Sequence, residues 1–124
     1  MNYIDLEFAV KVHDMIIEKS GGMNGIKDKG QLESVLTHIQ NDLYYPTFED
    51  KLTHLVYSII QFHMFNDGNK RTSISLGLYF MNLNHYTYAD DLYITEMEEI
   101  VVKVAEGKIS KDELYNILIK IINK

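Results

Sequence analysis

Cysteine is absent from the 124 residues. That excludes a disulfide framework and a thiolate metal site, and it suits a reducing compartment. Proline occurs once, at Pro46, and no Ser- or Pro-rich stretch marks a linker between domains. No apolar run is long enough to span a bilayer, and the opening MNYIDLEFAV lacks the basic start and continuous apolar core of a secretion signal. A cytoplasmic protein with no membrane partner is expected. Repeats and low-complexity tracts are missing too. So is any basic cluster: 18 Asp and Glu against 12 Lys and Arg leave a net charge of −6. Duplex nucleic acids are held largely through phosphate neutralisation, so direct nucleic-acid binding is not expected. A protein partner with a basic segment fits the charge better.

The hydrophobic share of 46% and charged share of 24% are those of an ordinary globular chain, and the length allows one core. A single domain, residues 1–124, is expected. Helical periodicity dominates. Ile4 to Lys19 carries Phe8, Val12, Met15 and Ile16 on one stripe, with Gly21-Gly22 as the stop. Asp28 and Gln31 resemble a capping box before Leu32, Val35, Leu36 and Ile39. Pro46-Thr47 with Asp50 opens a helix striped by Leu52, Leu55, Val56, Ile59 and Ile60. Asn69 to Asn84 is apolar almost all round from Ile74 to Leu83, the pattern of a central buried helix. Gly77 in its middle implies close approach of a neighbouring helix. Thr95 with Glu98, and Ser110 with Glu113, predict the starts of the last two helices. The fold class is therefore all-α, with about six helices. Gly22 to Lys29 and His85 to Tyr93 resist a helical assignment, and the former predicts a short hairpin.

Between two apolar helical runs lies His63-Met64-Phe65-Asn66-Asp67-Gly68-Asn69-Lys70-Arg71-Thr72. His63 falls in step with Leu52, Val56 and Ile59, near the end of its helix. A lone histidine there reads as a buried core residue; its neighbours change that. Asn66-Asp67-Gly68-Asn69 is turn chemistry, and Asn69 is a suitable N-cap for the next helix. The residues from Asn66 to Asn69, Gly68 included, would present successive backbone N–H groups at a positive helix end, a concavity suited to phosphate. Lys70 and Arg71 fall in the first turn of that helix, where cations oppose the macrodipole. A bound polyanion resolves the conflict. His63 can accept the proton of an attacking hydroxyl, and Asp67 offers a hard oxygen for Mg²⁺. Arg71 can grip phosphate oxygens in a fork, Lys70 can act as a point charge, and Asn69 can donate its amide. Phe65 reads as a hydrophobic peg.

This segment, H-x-F-x-D-G-N-K-R, resembles the signature of the Fic/Doc family, H-x-F-x-[D/E]-G-N-G-R-x-x-R. Lys70 and Thr72 make it similar to the Doc (death-on-curing) toxin branch. The likeness extends to Gly25–Ser34, Gln40, Leu83-Asn84-His85-Tyr86 and Ala105-Glu106-Gly107. It implies a compact helical Fic/Doc domain in which Gly22–Lys29 is a flap that aligns a target chain by strand addition. Two departures from the Fic pattern stand out. Lys70 replaces a glycine, and Ile74 replaces the second arginine; in the Doc branch this accompanies transfer of the γ-phosphate rather than AMP. The resemblance thus implies an ATP- and Mg²⁺-dependent protein kinase, with elongation factor Tu as the family's known target. No [S/T]-x-x-x-E-[G/N] inhibitory segment occurs, since Val102 stands where Ser or Thr is needed before Glu106-Gly107. A small antitoxin acting in trans is implied.

The expected catalytic set is His63, Asp67, Asn69, Lys70 and Arg71. The expected nucleotide set is Asn66, Gly68, Asn69, Lys70 and Arg71, and Asp67 is the metal ligand. Alternatives are adenylyl transfer, an inactive nucleotide-binding module, and a metal-dependent hydrolase built on His63 and Asp67. His13, His38, His54 and His85 lack metal-ligand spacing and read as structural or surface residues. The paired tyrosines Tyr44-Tyr45 and Tyr86/Tyr88 read as core-edge or interface residues.

Overall fold

Side-chain caps fix where most of the helices begin. A computed structural model describes residues 1–123, and its helices are α1 (Leu6–Ser20), α2 (Lys29–His38), α3 (Phe48–Gln61), α4 (Asn69–Leu83), α5 (Asp90–Ala105) and α6 (Lys111–Ile122). Asp5 caps α1 by accepting from Phe8 N, and Asp28 caps α2 by accepting from Gln31 N. The capping box at Asp28 is thus only half formed. Thr47/Asp50 and Ser110/Glu113 form complete reciprocal boxes at α3 and α6. Each such bond satisfies a helix N–H that would otherwise lack a partner.

The hydrophobic cluster is continuous and α3 runs through its centre, packing against α4, α6, α5 and α2. Its fully buried Leu52, Leu55, Val56 and Ile59 are the stripe that the sequence predicts. The charged exception is Lys51, 0% exposed, whose Nζ donates to Ile39 O at 2.6 Å and to Asp42 Oδ1 at 2.8 Å. It closes the C-terminal end of α2 against α3, where a cation is favoured.

Four expectations need correction. In α1 the buried face is Ala9, Val12, His13 and Ile17, while Phe8 and Met15 are exposed. The apolar stripe is narrow, and the face rotates to bring His13 inward. Helix α4 is buried on one face only, through Thr72, Ser73, Leu76, Gly77, Phe80 and Met81; Tyr79 and Leu83 reach solvent. Thr95/Glu98 is not a cap, because a 3₁₀ turn at Thr87–Ala89 leads directly into α5 at Asp90. Acidic Asp90 and Asp91 in the first turn serve the helix start instead. Finally, residues 22–29 form no hairpin: Ile26 makes a lone antiparallel pairing with Phe65. Lys27 N and Asp28 N donate to Met64 O, and Asn66 N donates to Gly25 O. This flap is therefore stitched to the turn between α3 and α4.

The close approach expected at Gly77 is present. A Cβ there would overlap the Tyr93 hydroxyl of α5 and lie 3.0 Å from Val56 Cγ2 of α3. Tyr93, fully buried, donates from that hydroxyl to Ile74 O at 3.1 Å, and burial pushes its pKa up. Gly77→Ala gains roughly 1 kcal/mol of helix propensity but overpacks the crossing at a cost of about 1–3 kcal/mol. A lower urea midpoint is expected; a raised one would show that the α4–α5 contact tolerates a methyl group.

Candidate active site

The segment from His63 to Arg71 spans the connection from α3 to α4, and its Phe65, Asn66 and Asp67 are tied by hydrogen bonds to α1, α4 and the flap. Helix α3 ends at Gln61, so His63 lies beyond it and not on its buried stripe. His63 adopts φ +46°, the left-handed conformation that commonly follows a helix but normally belongs to glycine. That conformation turns the exposed imidazole away from the core, which corrects the expectation of a helix-stripe histidine. A non-glycine residue held there is a local strain of the kind found at functional sites.

Helix α4 is capped by Gly68, also left-handed at φ +73°, and not by Asn69. Asn69 is the first helical residue, and its side chain reaches back to Phe65. Its Oδ1 accepts from Phe65 N at 3.0 Å while its Nδ2 donates to Phe65 O at 2.9 Å. The amide that sequence analysis offers to phosphate is thus committed to holding the turn. Phe65, 1% exposed, is the expected peg. Asn66 binds the flap through Nδ2 to Asn24 O at 3.0 Å. Asp67 does so as well, its Oδ2 accepting from Met23 N at 3.1 Å and its Oδ1 from Gly68 N at 3.3 Å. Gly22 is required beneath it, because a Cβ there would lie 3.0 Å from Asp67 Oδ2 in a backbone with φ +114°.

Two polar cavities flank this turn. One, about 230 Å³, is lined by His63, Asn66, Asp67, Gly68, Asn69 and Lys70, with Ile60 and Ala105. The other, about 360 Å³, is lined by Asp67 to Arg71 and by Ser20–Gly22. Together they bring every predicted site residue to one place, His63 on one side and Arg71 on the other. A larger cavity of about 550 Å³ lies between α5 and α6 among Leu92, Ile117 and Ile121, and it carries no comparable group of side chains.

The charges single this helix end out. Helices α1, α3, α5 and α6 each carry an acidic residue in their first turn. Helix α2 has none there either, but its N-cap is the carboxylate of Asp28; α4 has a carboxylate neither in its first turn nor at its Gly68 cap, and carries Lys70 and Arg71. Both are exposed, and neither belongs to an ion pair among the described residues. Two unneutralised cations at the positive end of a helix are an arrangement suited to an anion. Ile74, one turn on, is partly buried against the core and offers no phosphate ligand.

One contributor is not evident from sequence. His13 of α1, 0% exposed, bonds through Nε2 to Asp67 O at 2.7 Å and stacks on Phe65 with ring centroids 3.9 Å apart. Its position on an otherwise apolar face is the only sequence signal, and it lies fifty-four residues from its partner.

A family model described as the Fic/DOC family matches residues 3–81. The chain belongs to the Fic/DOC family. The matched stretch contains α1 to α3 and all but the last two residues of α4, and so the whole turn with its flap. Among curated proteins, the chain is 32% identical over 114 residues to "Protein kinase doc" of Escherichia phage P1, covering 89% of this chain and 87% of that one. It is 29% identical over 98 residues to "Toxin Doc" of Mycolicibacterium smegmatis, covering 76% and 75%. The expected Fic/Doc membership, in its Doc branch, and the all-α fold therefore hold.

If Asn69 is what holds the turn, Asn69→Ala should leave the Phe65 backbone N–H and C=O without partners. A loss of about 1–3 kcal/mol is expected, with faster amide exchange at Phe65. Wild-type stability and exchange would show that the clamp is dispensable.

Proposed function

We propose that this protein is a Doc-type toxin that transfers the γ-phosphate of ATP to a hydroxyl group of a protein. The observation that carries the proposal is the exposed cation pair Lys70–Arg71 at the positive end of α4, with His63 across the same turn. The likeness to a relative named as a protein kinase, and Lys70 and Ile74 in place of the Fic glycine and arginine, favour γ-transfer over adenylyl transfer.

In this reading the acceptor hydroxyl oxygen attacks the γ-phosphorus. Its bond to phosphorus forms as the bond to the β–γ bridging oxygen breaks, and ADP departs. His63 takes the hydroxyl proton. Gly68 and Asn69 N–H groups, Lys70 and Arg71 hold the phosphate oxygens, so catalysis is mostly positioning and charge stabilisation. Mg²⁺ fits the donor set: one exposed carboxylate, Asp67, beside the phosphate position is what this ion uses when waters and phosphates complete its shell. Bound there it would offset the charge of the phosphate oxygens. Among the described residues no cluster of three His, Asp or Glu offers a second metal position.

The target is expected to be elongation factor Tu, by family resemblance, and its modification would halt translation. The flap supports docking of a chain, because Met23, Asn24 and Gly25 bind the catalytic turn through their backbone and through Asp67 and Asn66. Val102 in place of Ser or Thr leaves α5 without the inhibitory motif, which supports an antitoxin in trans as the second gene of a type II toxin–antitoxin pair. A cytoplasmic site of action follows from that target; among the described residues no helix is long and apolar enough to cross a membrane.

Incubation with ATP labelled in the α or the γ position tests the reaction. Label should reach the target from the γ position only, and His63→Ala, whose side chain is exposed, should abolish transfer without lowering the melting temperature. Label from the α position would replace the kinase reading with adenylyl transfer. No label from either would leave a nucleotide-binding module.

Asp67→Asn tests the metal separately. A neutral amide is a poor ligand for a hard cation, so transfer should fall by about 10²-fold or more with a higher Mg²⁺ requirement. An unchanged Mg²⁺ titration would place the ion elsewhere.

A further inference from the structure

We infer that His13 is a positioning residue for the anion-binding turn, acting through the Asp67–Gly68 peptide without touching the substrate. The inference rests on the phosphate-binding reading of that turn, but not on which phosphate is transferred.

A carbonyl oxygen only accepts hydrogen bonds, so the 2.7 Å contact to Asp67 O requires the proton on His13 Nε2. The tautomer is thereby fixed. In the neutral ring Nδ1 is then the bare nitrogen; it is buried without a hydrogen-bond partner, with Asp14 Oδ1 3.8 Å away. A buried imidazole with one unsatisfied nitrogen is unfavourable on a face otherwise built of Ala9, Val12 and Ile17. Its compensation is the grip on the turn.

The geometry shows what that grip sets. A trans peptide is planar, and its C=O and N–H point to opposite sides. His13 draws the Asp67 carbonyl inward, so the Gly68 N–H of the same peptide must point outward. There it meets Asp67 Oδ1 at 3.3 Å, at the edge of both polar cavities. That contact is long enough to yield readily to a phosphate oxygen. The imidazole also lies flat on Phe65, 3.9 Å between centroids and 9° from parallel, while Asn69 clamps the Phe65 backbone. Gly68 packs close to α1, since a Cβ there would fall 3.1 Å from Ile17 Cδ1 and 3.8 Å from His13 Nε2. One side chain thus fixes the turn at a ring and at a peptide plane, and aims a left-handed glycine's N–H at the anion. Donors fixed in advance bind charge without reorganisation.

A histidine that merely fills the core would affect stability alone. Two variants separate these roles. His13→Gln places its amide nitrogen close to the Nε2 position and keeps the donor; His13→Phe keeps the stack and removes the donor. Inorganic tripolyphosphate is the probe, followed through the Gly68 amide resonance, with ATP transfer measured in parallel. In the wild-type protein, tripolyphosphate should shift the Gly68 amide, and His13 nitrogen shifts should report the Nε2–H form. His13→Phe should weaken tripolyphosphate binding on the order of tenfold and raise KM for ATP, while His13→Gln recovers most of both.

A Gly68 amide that does not respond to tripolyphosphate in the wild type would overturn the inference, as would wild-type affinity in folded His13→Phe. If His13→Phe does not fold, an Nδ1–H tautomer in the wild type, or a His13→Gln protein that folds but loses tripolyphosphate affinity as a donorless variant would, overturns it equally. A wild-type Gly68 response without γ-label transfer would sink the kinase reading and leave the role of His13 standing.

Discussion

Asn69 grips Phe65 by both its N–H and its C=O, and the rest of the site depends on that double hydrogen bond. A turn between two helices has backbone groups with no regular partner, and in most proteins water satisfies them. Here the first side chain of α4 supplies both partners to Phe65, so the chain that leaves α3 is held against the helix it enters. Phe65 can then bury its ring, His13 can stack on it, and Ile26 of the flap can pair with its backbone. Removing the clamp would free the ring, the flap and the orientation of the following residues together.

The acidity of the chain sharpens the function of the two cations. A net charge of −6 gives a protein whose average field repels nucleotides. Within that field, Lys70 and Arg71, in no ion pair among the described residues, sit at a helix end already carrying partial positive charge. Charges at such short range dominate over the screened average, because the Debye length is about 8 Å at physiological salt. A local site of this kind is suited to phosphate even where the net charge of the chain disfavours a long nucleic acid. The same acidity leaves the rest of the surface suited to a basic partner segment.

Most of the architecture was legible because it follows from periodicity and capping. The α3 stripe and the boxes at Thr47 and Ser110 are local signals, and each appears where the residues predict. The departures at the caps and the flap share a physical cause: sequence spacing suggests a local partner where the actual partner is remote or differently placed. Asn69 has the composition of an N-cap but bonds back to Phe65, and a left-handed Gly68 takes the cap position. Thr95 and Glu98 have box spacing but lie inside α5, which Asp90 and Asp91 already start. The sequence predicts a short hairpin over residues 22–29 and the resemblance makes it a flap, yet its pairing partner, Phe65, is set by tertiary contact. For the candidate site, the motif names the residues that the structure brings together on the turn, whereas no spacing links His13 to Asp67.

The flap and the turn between α3 and α4 are mechanically one object, and that bears on how a target of the proposed reaction would be admitted. Asp67 accepts from Met23 N, Asn66 donates to Asn24 O and its N–H donates to Gly25 O, so three successive flap residues bond to two successive turn residues. Gly22 and Gly25 lie at φ +114° and +107°, and a Cβ at Gly25 would fall 2.8 Å from Asn66 Nδ2. Neither position accepts a side chain without backbone strain and displacement of the Asp67 or Asn66 side chain. A target strand added to the flap would thus be registered against Asp67 and Asn66 directly, with no flexible linker between docking and chemistry. Proximity of this kind converts binding into rate, since aligned reactants avoid the entropy of finding each other. The glycines that look like a source of looseness serve close approach here, and the stiffness of the site comes from the bonds they permit.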